Sequence, residues 1–166
     1  MATDGERDDA RDDRSDGRDE TRTERLDRNW GDILQELRAV QTGTQIISGF
    51  LLAAAFQPRF TELDGYQLGL YLVLVVLAGL ATVLGFTPVI LHRQLFGRHQ
   101  KDRLVRIANR MLFLLLAVVS LLAAGVTSLI FDVAIGRTAG FVALVAALLV
   151  VLTAWVVVPA IARRSP

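Results

Sequence analysis

The residues best placed to do chemistry in this 166-residue chain form a row of polar side chains on one predicted helix. Arg38, Gln41, Gln45 and Ser48 follow one another at intervals of three or four residues, so they share one helical face. An unpaired amide in hydrocarbon is costly, so this polar face must meet other helices, water or a partner chain. This face predicts a row of hydrogen bonds between helices that stabilises a bundle, or the wall of a polar conduit or binding pocket. A shallow helix whose amides reach the lipid headgroups is a third interpretation.

A basic face precedes one of the long apolar segments. Arg103, Arg106 and Arg110, together with His99, recur at intervals of three or four residues. Such a face suits anionic lipid headgroups, although membrane topology alone also predicts positive charge at this border. His92 and His99 are the two histidines of the chain and cysteine is absent, so we expect no haem, metal site or disulfide.

Carboxylates are the groups that usually bind a proton or a sodium ion inside a membrane. Those outside the first 28 residues all fall at the ends of predicted spans or in loops: Asp32, Glu36, Glu62, Asp64, Asp102 and Asp132. The chain also offers no nucleophile–base pair or metal cluster at a spacing that would form a site. We therefore expect no enzyme, no cofactor and no catalytic residue.

The elements that carry these residues are predicted to be membrane-spanning helices, since about 20 apolar residues cross the hydrocarbon core. Three segments meet this requirement plainly, and an earlier one is less uniform because polar residues occupy its first half. We predict an all-α fold, a four-helix transmembrane bundle of up-down topology in residues 29–166. Its spans are expected at about 33–56, 66–91, 108–131 and 138–160. A wholly interfacial first helix is the alternative to the first span.

Residues 1–28 differ from the rest, with 11 acidic and 7 basic side chains and almost no large apolar ones. Such a composition predicts a disordered charged tail. Near the predicted spans, twelve lysines and arginines lie on the side of the tail, the middle loop and the C-terminus, and only Arg59 and Arg137 on the other. Positive charge marks the cytoplasmic side, so we expect a multi-pass cell-membrane protein with both termini in the cytoplasm.

Three stretches of the sequence resemble a known family: LQELRAVQTGTQIISGFLLAAAFQPRF (Leu34–Phe60), HRQLFGRHQKDRLVRIANR (His92–Arg110) and FDVAIGRTAG (Phe131–Gly140). They look like an uncharacterised family of small four-span actinobacterial membrane proteins. Its members are sometimes automatically labelled sodium:proton antiporters. The resemblance implies the same four-span layout and brings no established activity or site residues.

The sequence favours a non-enzymatic integral membrane protein that acts through self-association or through a membrane partner. The alternative is a small oligomeric transporter or channel lined by the polar face. Sodium/proton antiport is disfavoured because no carboxylate falls near the centre of a predicted span. The expected partners are the lipid bilayer, a second copy of the chain and anionic headgroups at the cytoplasmic loop. No nucleic-acid partner is expected.

Overall fold

The computed structural model describes residues 22–95 and 101–162, and every element in these ranges is helical. The elements in chain order are α1 (Arg22–Ala54), a 3₁₀ turn (Pro58–Glu62), α2 (Gly65–Leu95), α3 (Lys101–Ala134), α4 (Arg137–Leu152), a π turn (Thr153–Val157) and α5 (Val158–Ala162). The all-α prediction is therefore confirmed. Three helical segments are long and apolar enough to cross a membrane: Gly65–Ile90, Arg106–Ala134 and Arg137–Ile161.

Helix α1 begins at Arg22, earlier than the boundary predicted at residue 29. Glu24 and Arg28 lie four residues apart with opposite charges, a spacing that favours helix. The disorder predicted for the tail concerns mostly residues 1–21, which lie outside the described residues. The first predicted span lies in α1, which is not among the three segments apolar enough to cross a membrane. Arg38, Gln41 and Gln45 lower its apolarity.

Helices α1 and α2 pack side by side with opposite chain directions. Gln41 of α1 contacts Gly85 of α2, while Leu51, ten residues further along α1, contacts Tyr71. The Tyr71 hydroxyl donates a hydrogen bond of 2.9 Å to the Leu51 carbonyl. The 3₁₀ turn closes this hairpin, because Phe60 packs its ring edge-to-face on Tyr71 at 4.9 Å. The two helices are thus joined along most of their shared length.

The core lies where α1, α2 and α3 meet, and it consists of two clusters of buried apolar residues. The first lies toward the start of α1 and contains Ile33, Leu37, Ala81, Ala108, Leu112, Leu115 and Val118. The second lies toward the end of α1 and contains Leu51, Tyr71, Leu74, Ala78 and Leu122. Both clusters include alanines, which let the helix backbones approach closely.

Helices α3 and α4 form a second hairpin with an abrupt turn. Gly136 ends the turn with φ +132°, a backbone conformation that residues with a side chain rarely adopt. One turn into α4, Gly140 lies so close to α3 that an added Cβ would be 2.7 Å from the Cβ of Asp132 and 3.1 Å from the Ser128 carbonyl oxygen. The Ser128 hydroxyl donates to the Gly140 carbonyl at 3.0 Å. Two glycines therefore set the spacing of this hairpin.

The far end of the second hairpin is less regular. The helix widens into the π turn just before Pro159, whose ring and missing N–H are incompatible with a continuous α-helix. Trp155 in this turn contacts Phe113 of α3, with ring centroids 6.4 Å apart. Apart from its contacts with α3, this last helical segment is largely exposed in the single chain.

Replacing Gly140 by alanine is expected to destabilise the chain by roughly 1–3 kcal/mol, because the new methyl group would overlap α3 backbone atoms that cannot easily move. Gly79→Ala is the matched control, since an added Cβ there meets nothing within 4 Å. Thermal unfolding in detergent, followed by circular dichroism, gives the comparison. A Gly140→Ala variant that melts no lower than Gly79→Ala would contradict the close approach described for α3 and α4.

Candidate functional site

Four polar side chains meet at the end of the bundle where both short connections lie. We call Asp64, Gln67, Asp132 and Arg137 the polar cluster. Asp64 directly precedes α2, Gln67 lies in its first turn, Asp132 lies near the end of α3, and Arg137 begins α4. Asp132 is only 4% exposed, which is unusual for a carboxylate and requires partners within the chain.

Both oxygens of the buried Asp132 carboxylate have partners. The Gln67 side-chain amide donates to Oδ1 at 2.6 Å, and Nε of Arg137 lies 2.7 Å from Oδ2 as an ion pair without hydrogen-bond alignment. The same guanidinium places Nη2 2.5 Å from Oδ2 of Asp64 and lies 3.9 Å above the centre of the Tyr66 ring. One arginine thus joins carboxylates from both hairpins.

The start of α2 holds Asp64 and Gln67 in position. The Asp64 carboxylate accepts hydrogen bonds of 2.9 Å from the backbone N–H groups of Tyr66 and Gln67. In return, the Gln67 side-chain oxygen accepts a bond of 3.1 Å from the Asp64 N–H. This reciprocal arrangement is a capping box, which satisfies backbone groups that a helix start would leave unpaired. It leaves the NH₂ group of Gln67 free to reach Asp132.

The cap and the arginine also set the electrostatics of the cluster. The Gln67 backbone N–H, the Arg137 charge and the Tyr66 N–H together hold the pKa of Asp64 below its usual value. The guanidinium already occupies the place between the carboxylates where a cation would bind. Within residues 22–95 and 101–162, no group of three His, Cys, Asp or Glu side chains is arranged to hold a metal ion. The arrangement is better suited to linking helices than to binding a ligand.

Sequence reasoning missed this cluster. It placed Asp64 and Asp132 at span ends and gave neither a partner, because 65 residues separate Gln67 from Asp132. Two signals were present. Asp64 and Gln67 have capping-box spacing, and Arg137 follows Asp132 closely on the side of the protein that carries few basic residues.

The packing buries some residues of the polar face of α1 in part and leaves others exposed. Gln41 is half-buried, and its amide donates to the Gly85 carbonyl at 2.9 Å. Ser48 is also half-buried, with a hydroxyl oxygen that is shielded and has no hydrogen-bond partner among the described residues. Arg38 and Gln45 are exposed. One edge of the face therefore turns toward α2, and the other turns away from the bundle.

The contact between Gln41 and Gly85 has a local cause in α2. Pro88 lies inside the helix and has no N–H, so the carbonyl that loses its helical donor is that of Leu84, next to Gly85. In membrane helices such carbonyls are commonly satisfied by a neighbouring helix. Gly85 itself has no side chain to obstruct the amide, and an added Cβ there would lie 2.9 Å from the Gln41 nitrogen. Gln41 thus binds α2 where the absence of a side chain at Gly85 lets it approach.

The basic face is described in part. Arg106 and Arg110 lie in the early turns of α3 and are exposed, as contact with headgroups would require. The side chain of Arg103 and residue His99 lie outside the described part of the chain. Anionic-lipid contact remains a prediction for all three arginines.

A family model described as a family of unknown function (DUF6328) matches residues 19–159. The chain belongs to this family. No curated protein and no solved structure gives a significant match. The matched range includes the polar cluster and the whole of α1, so both belong to the DUF6328 region. The expected membership of an uncharacterised family is confirmed, while the actinobacterial origin and the antiporter label stay predictions.

Removing the cation of the polar cluster is expected to destabilise the DUF6328 chain. Arg137→Gln would leave the buried Asp132 charge without its ion pair, and we expect a loss on the order of 2 kcal/mol. This is less than for a fully buried pair, because the Arg137 side chain is 39% exposed and the solvent screens it. Thermal unfolding of Arg59→Gln, which removes an exposed arginine from the 3₁₀ turn, is the control.

The double variant Asp132→Asn/Arg137→Gln tests, in the same experiment, whether the lost stability comes from the unpaired charge of Asp132 or from the changed shape of the side chain at position 137. A neutral amide at position 132 no longer needs a cation, so the double variant should recover part of the stability lost by Arg137→Gln alone. Equal melting temperatures for Arg137→Gln and Arg59→Gln would show that the ion pair contributes nothing.

The lowered pKa of Asp64 predicts an acid-dependent loss of stability. A group whose pKa is lower in the folded than in the unfolded chain stabilises the fold above its unfolded value, here near 3.8, and loses that contribution as the pH falls through the folded value. Asp64→Asn keeps a residue able to cap α2 but cannot titrate. Melting temperatures from pH 7 to pH 3 should therefore fall less steeply for Asp64→Asn than for the wild type. Parallel curves would refute the assignment.

Proposed function

We propose that this chain is a four-span protein of the cell membrane, with both termini in the cytoplasm, that works without catalysis through association with a second copy or a membrane partner. The apolarity of α2, α3 and the segment Arg137–Ile161 supports three of the spans. The split of twelve basic residues against two supports the orientation. Exposed Arg106 and Arg110 would then face anionic headgroups on the cytoplasmic side.

The packing of α1 supports its assignment as a membrane span, in addition to the three apolar segments. It contacts α2 at two levels, Gln41 with Gly85 and Leu51 with Tyr71, and both levels fall inside the apolar segment Gly65–Ile90. A helix that lay flat in the headgroup region could not follow a crossing helix in this way. The alternative of a wholly interfacial first helix is therefore disfavoured.

The observation that carries the association hypothesis is that the polar side chains between the described helices, apart from the Ser48 hydroxyl, are already engaged. Gln41 donates to the Gly85 carbonyl, Ser128 donates to the Gly140 carbonyl, and Asp132 binds Gln67 and Arg137. Catalysis and transport need groups that are free to bind a substrate. Here those groups hold helices to one another. A partner would therefore have to bind the outer surface of the bundle.

A small oligomeric transporter or channel remains the second candidate, and one observation favours it. The shielded Ser48 hydroxyl has no hydrogen-bond partner among the described residues, and exposed Gln45 lies one turn away on the same polar face. Sodium/proton antiport has less support. The buried carboxylate of Asp132 is already paired with a permanent cation, which occupies the place of a proton or sodium ion.

Single-cysteine labelling tests the topology without background, because the natural chain contains no cysteine. Three variants suffice: Thr61→Cys in the first connection, Lys101→Cys in the middle loop and Ser165→Cys at the C-terminus. On intact cells, an impermeant maleimide should label only Thr61→Cys, and all three should react after permeabilisation. Labelling of Lys101→Cys instead of Thr61→Cys would contradict the proposed topology.

Native mass spectrometry from bilayer nanodiscs tests association on the same protein. We expect a complex heavier than one chain. A strictly monomeric chain would contradict self-association, and a purified chain that catalyses ion exchange in sealed vesicles would contradict the proposed function even if the four-span topology holds.

A further inference from the structure

One exposed face of α1 is unsuited to contact with lipid, although the same helix also exposes Ile46, Phe50 and Leu52. Its exposed residues include Arg38, Thr42, Gln45 and Gly49, which recur at intervals of four, three and four and which we call the outward face. Every member is polar or small. Helix α2 exposes many large apolar residues, as lipid contact favours, among them Leu72, Val73, Val76, Val83 and Phe86.

Gln45 lies deep within the apolar region. Gln41 is level with Gly85, which lies five residues before the end of the apolar segment of α2 at Ile90. Because α1 runs opposite to α2, Gln45 lies one further turn inward, so that its depth is about 13 Å at a rise of ~1.5 Å per residue. A glutamine side chain cannot reach the headgroups from there.

The Gln45 amide is unsatisfied in the single chain. It is exposed and makes no hydrogen bond within residues 22–95 and 101–162. An amide in hydrocarbon without a partner is strongly unfavourable. Its neighbour Thr42 has no such need, because its hydroxyl already donates to the Arg38 carbonyl at 2.9 Å. Gln45 is therefore the residue of the outward face that requires a partner.

We propose that the outward face of α1 binds the same face of a second copy, with the two Gln45 amides hydrogen-bonded across a two-fold axis. This inference rests on the proposed four-span topology, which makes the two α1 helices parallel. A two-fold axis places a residue opposite itself, and a glutamine amide carries both a donor and an acceptor, so each copy satisfies the other. No partner of different chemistry is needed.

The shape of the outward face fits such a pair. An added Cβ at Gly49 would meet nothing within 4 Å, so the space beside this glycine is open in the single chain and a neighbouring backbone can approach closely. Intervals that alternate between four and three residues produce the seam of a left-handed helix pair. Arg38 lies two turns nearer the cytoplasmic end than Gln45, where its long side chain can extend to the headgroups.

Disulfide cross-linking in native membranes tests the face directly. Thr42→Cys and Gly49→Cys should each give a covalent dimer on mild oxidation, since both positions face their own copies across the proposed axis. Val76→Cys is the matched control, because Val76 is exposed at apolar depth on α2. Cross-linking of Val76→Cys as strong as that of the other two would overturn the proposal.

The role of Gln45 is measured with the otherwise natural chain in nanodiscs at decreasing protein concentration. Gln45→Leu should weaken the dimer roughly tenfold, the effect of losing interhelical hydrogen bonds in a membrane. Gln57→Leu, which removes an exposed amide outside the helices, should leave the dimer unchanged. Dilute monomer of Gln45→Leu should melt like the wild type, because Gln45 makes no contact that holds the single chain together.

The outcomes separate this inference from the proposed function. A complex that persists unchanged in Gln45→Leu, without cross-links at Thr42→Cys and Gly49→Cys, would overturn the inference and leave association by another surface. A chain that is monomeric in every variant would overturn the inference together with the self-association in the proposed function.

Discussion

A buried carboxylate between apolar helices is stable only if the chain itself supplies a cation and hydrogen-bond donors. Asp132 imposes this requirement at the end of α3, and it is met by Gln67 of α2 and by Arg137 of α4. Because Arg137 also reaches Asp64, the same interaction connects the two hairpins. The register of α2, α3 and α4 relative to one another is thus set by one charged group that could not be left unpaired.

The same physical rule operates deeper in the bundle with neutral groups. The Tyr71 hydroxyl donates to the Leu51 carbonyl and the Gln41 amide to the Gly85 carbonyl, so that side chains of one helix satisfy the backbone of the next. Ser128 and Gly140 repeat the arrangement between α3 and α4. In lipid there is no hydrophobic driving force between helices, and close approach with such hydrogen bonds takes its place. The interior consequently holds helices together.

The functional conclusion follows from the contrast between the interior and the surface. Inside, Gln41, Ser128 and Asp132 bind neighbouring helices, whereas outside, α1 exposes Arg38, Thr42 and Gln45 beside its apolar residues. Family DUF6328 brings no assigned activity. The distribution of polar groups therefore provides the main physical argument about function, and it favours association over chemistry at an internal site.

The sequence by itself determined that the fold is helical and that three segments are apolar enough to cross a membrane, because both properties depend on composition over about 20 neighbouring residues. The first predicted span, in α1, is not among these three segments. Only the tertiary structure decided which way each helix is turned about its axis. That rotation leaves Gln41 half-buried against α2 but Gln45 exposed, and it joins Gln67 to Asp132. It depends on contacts between residues far apart in the chain, which no local pattern contains.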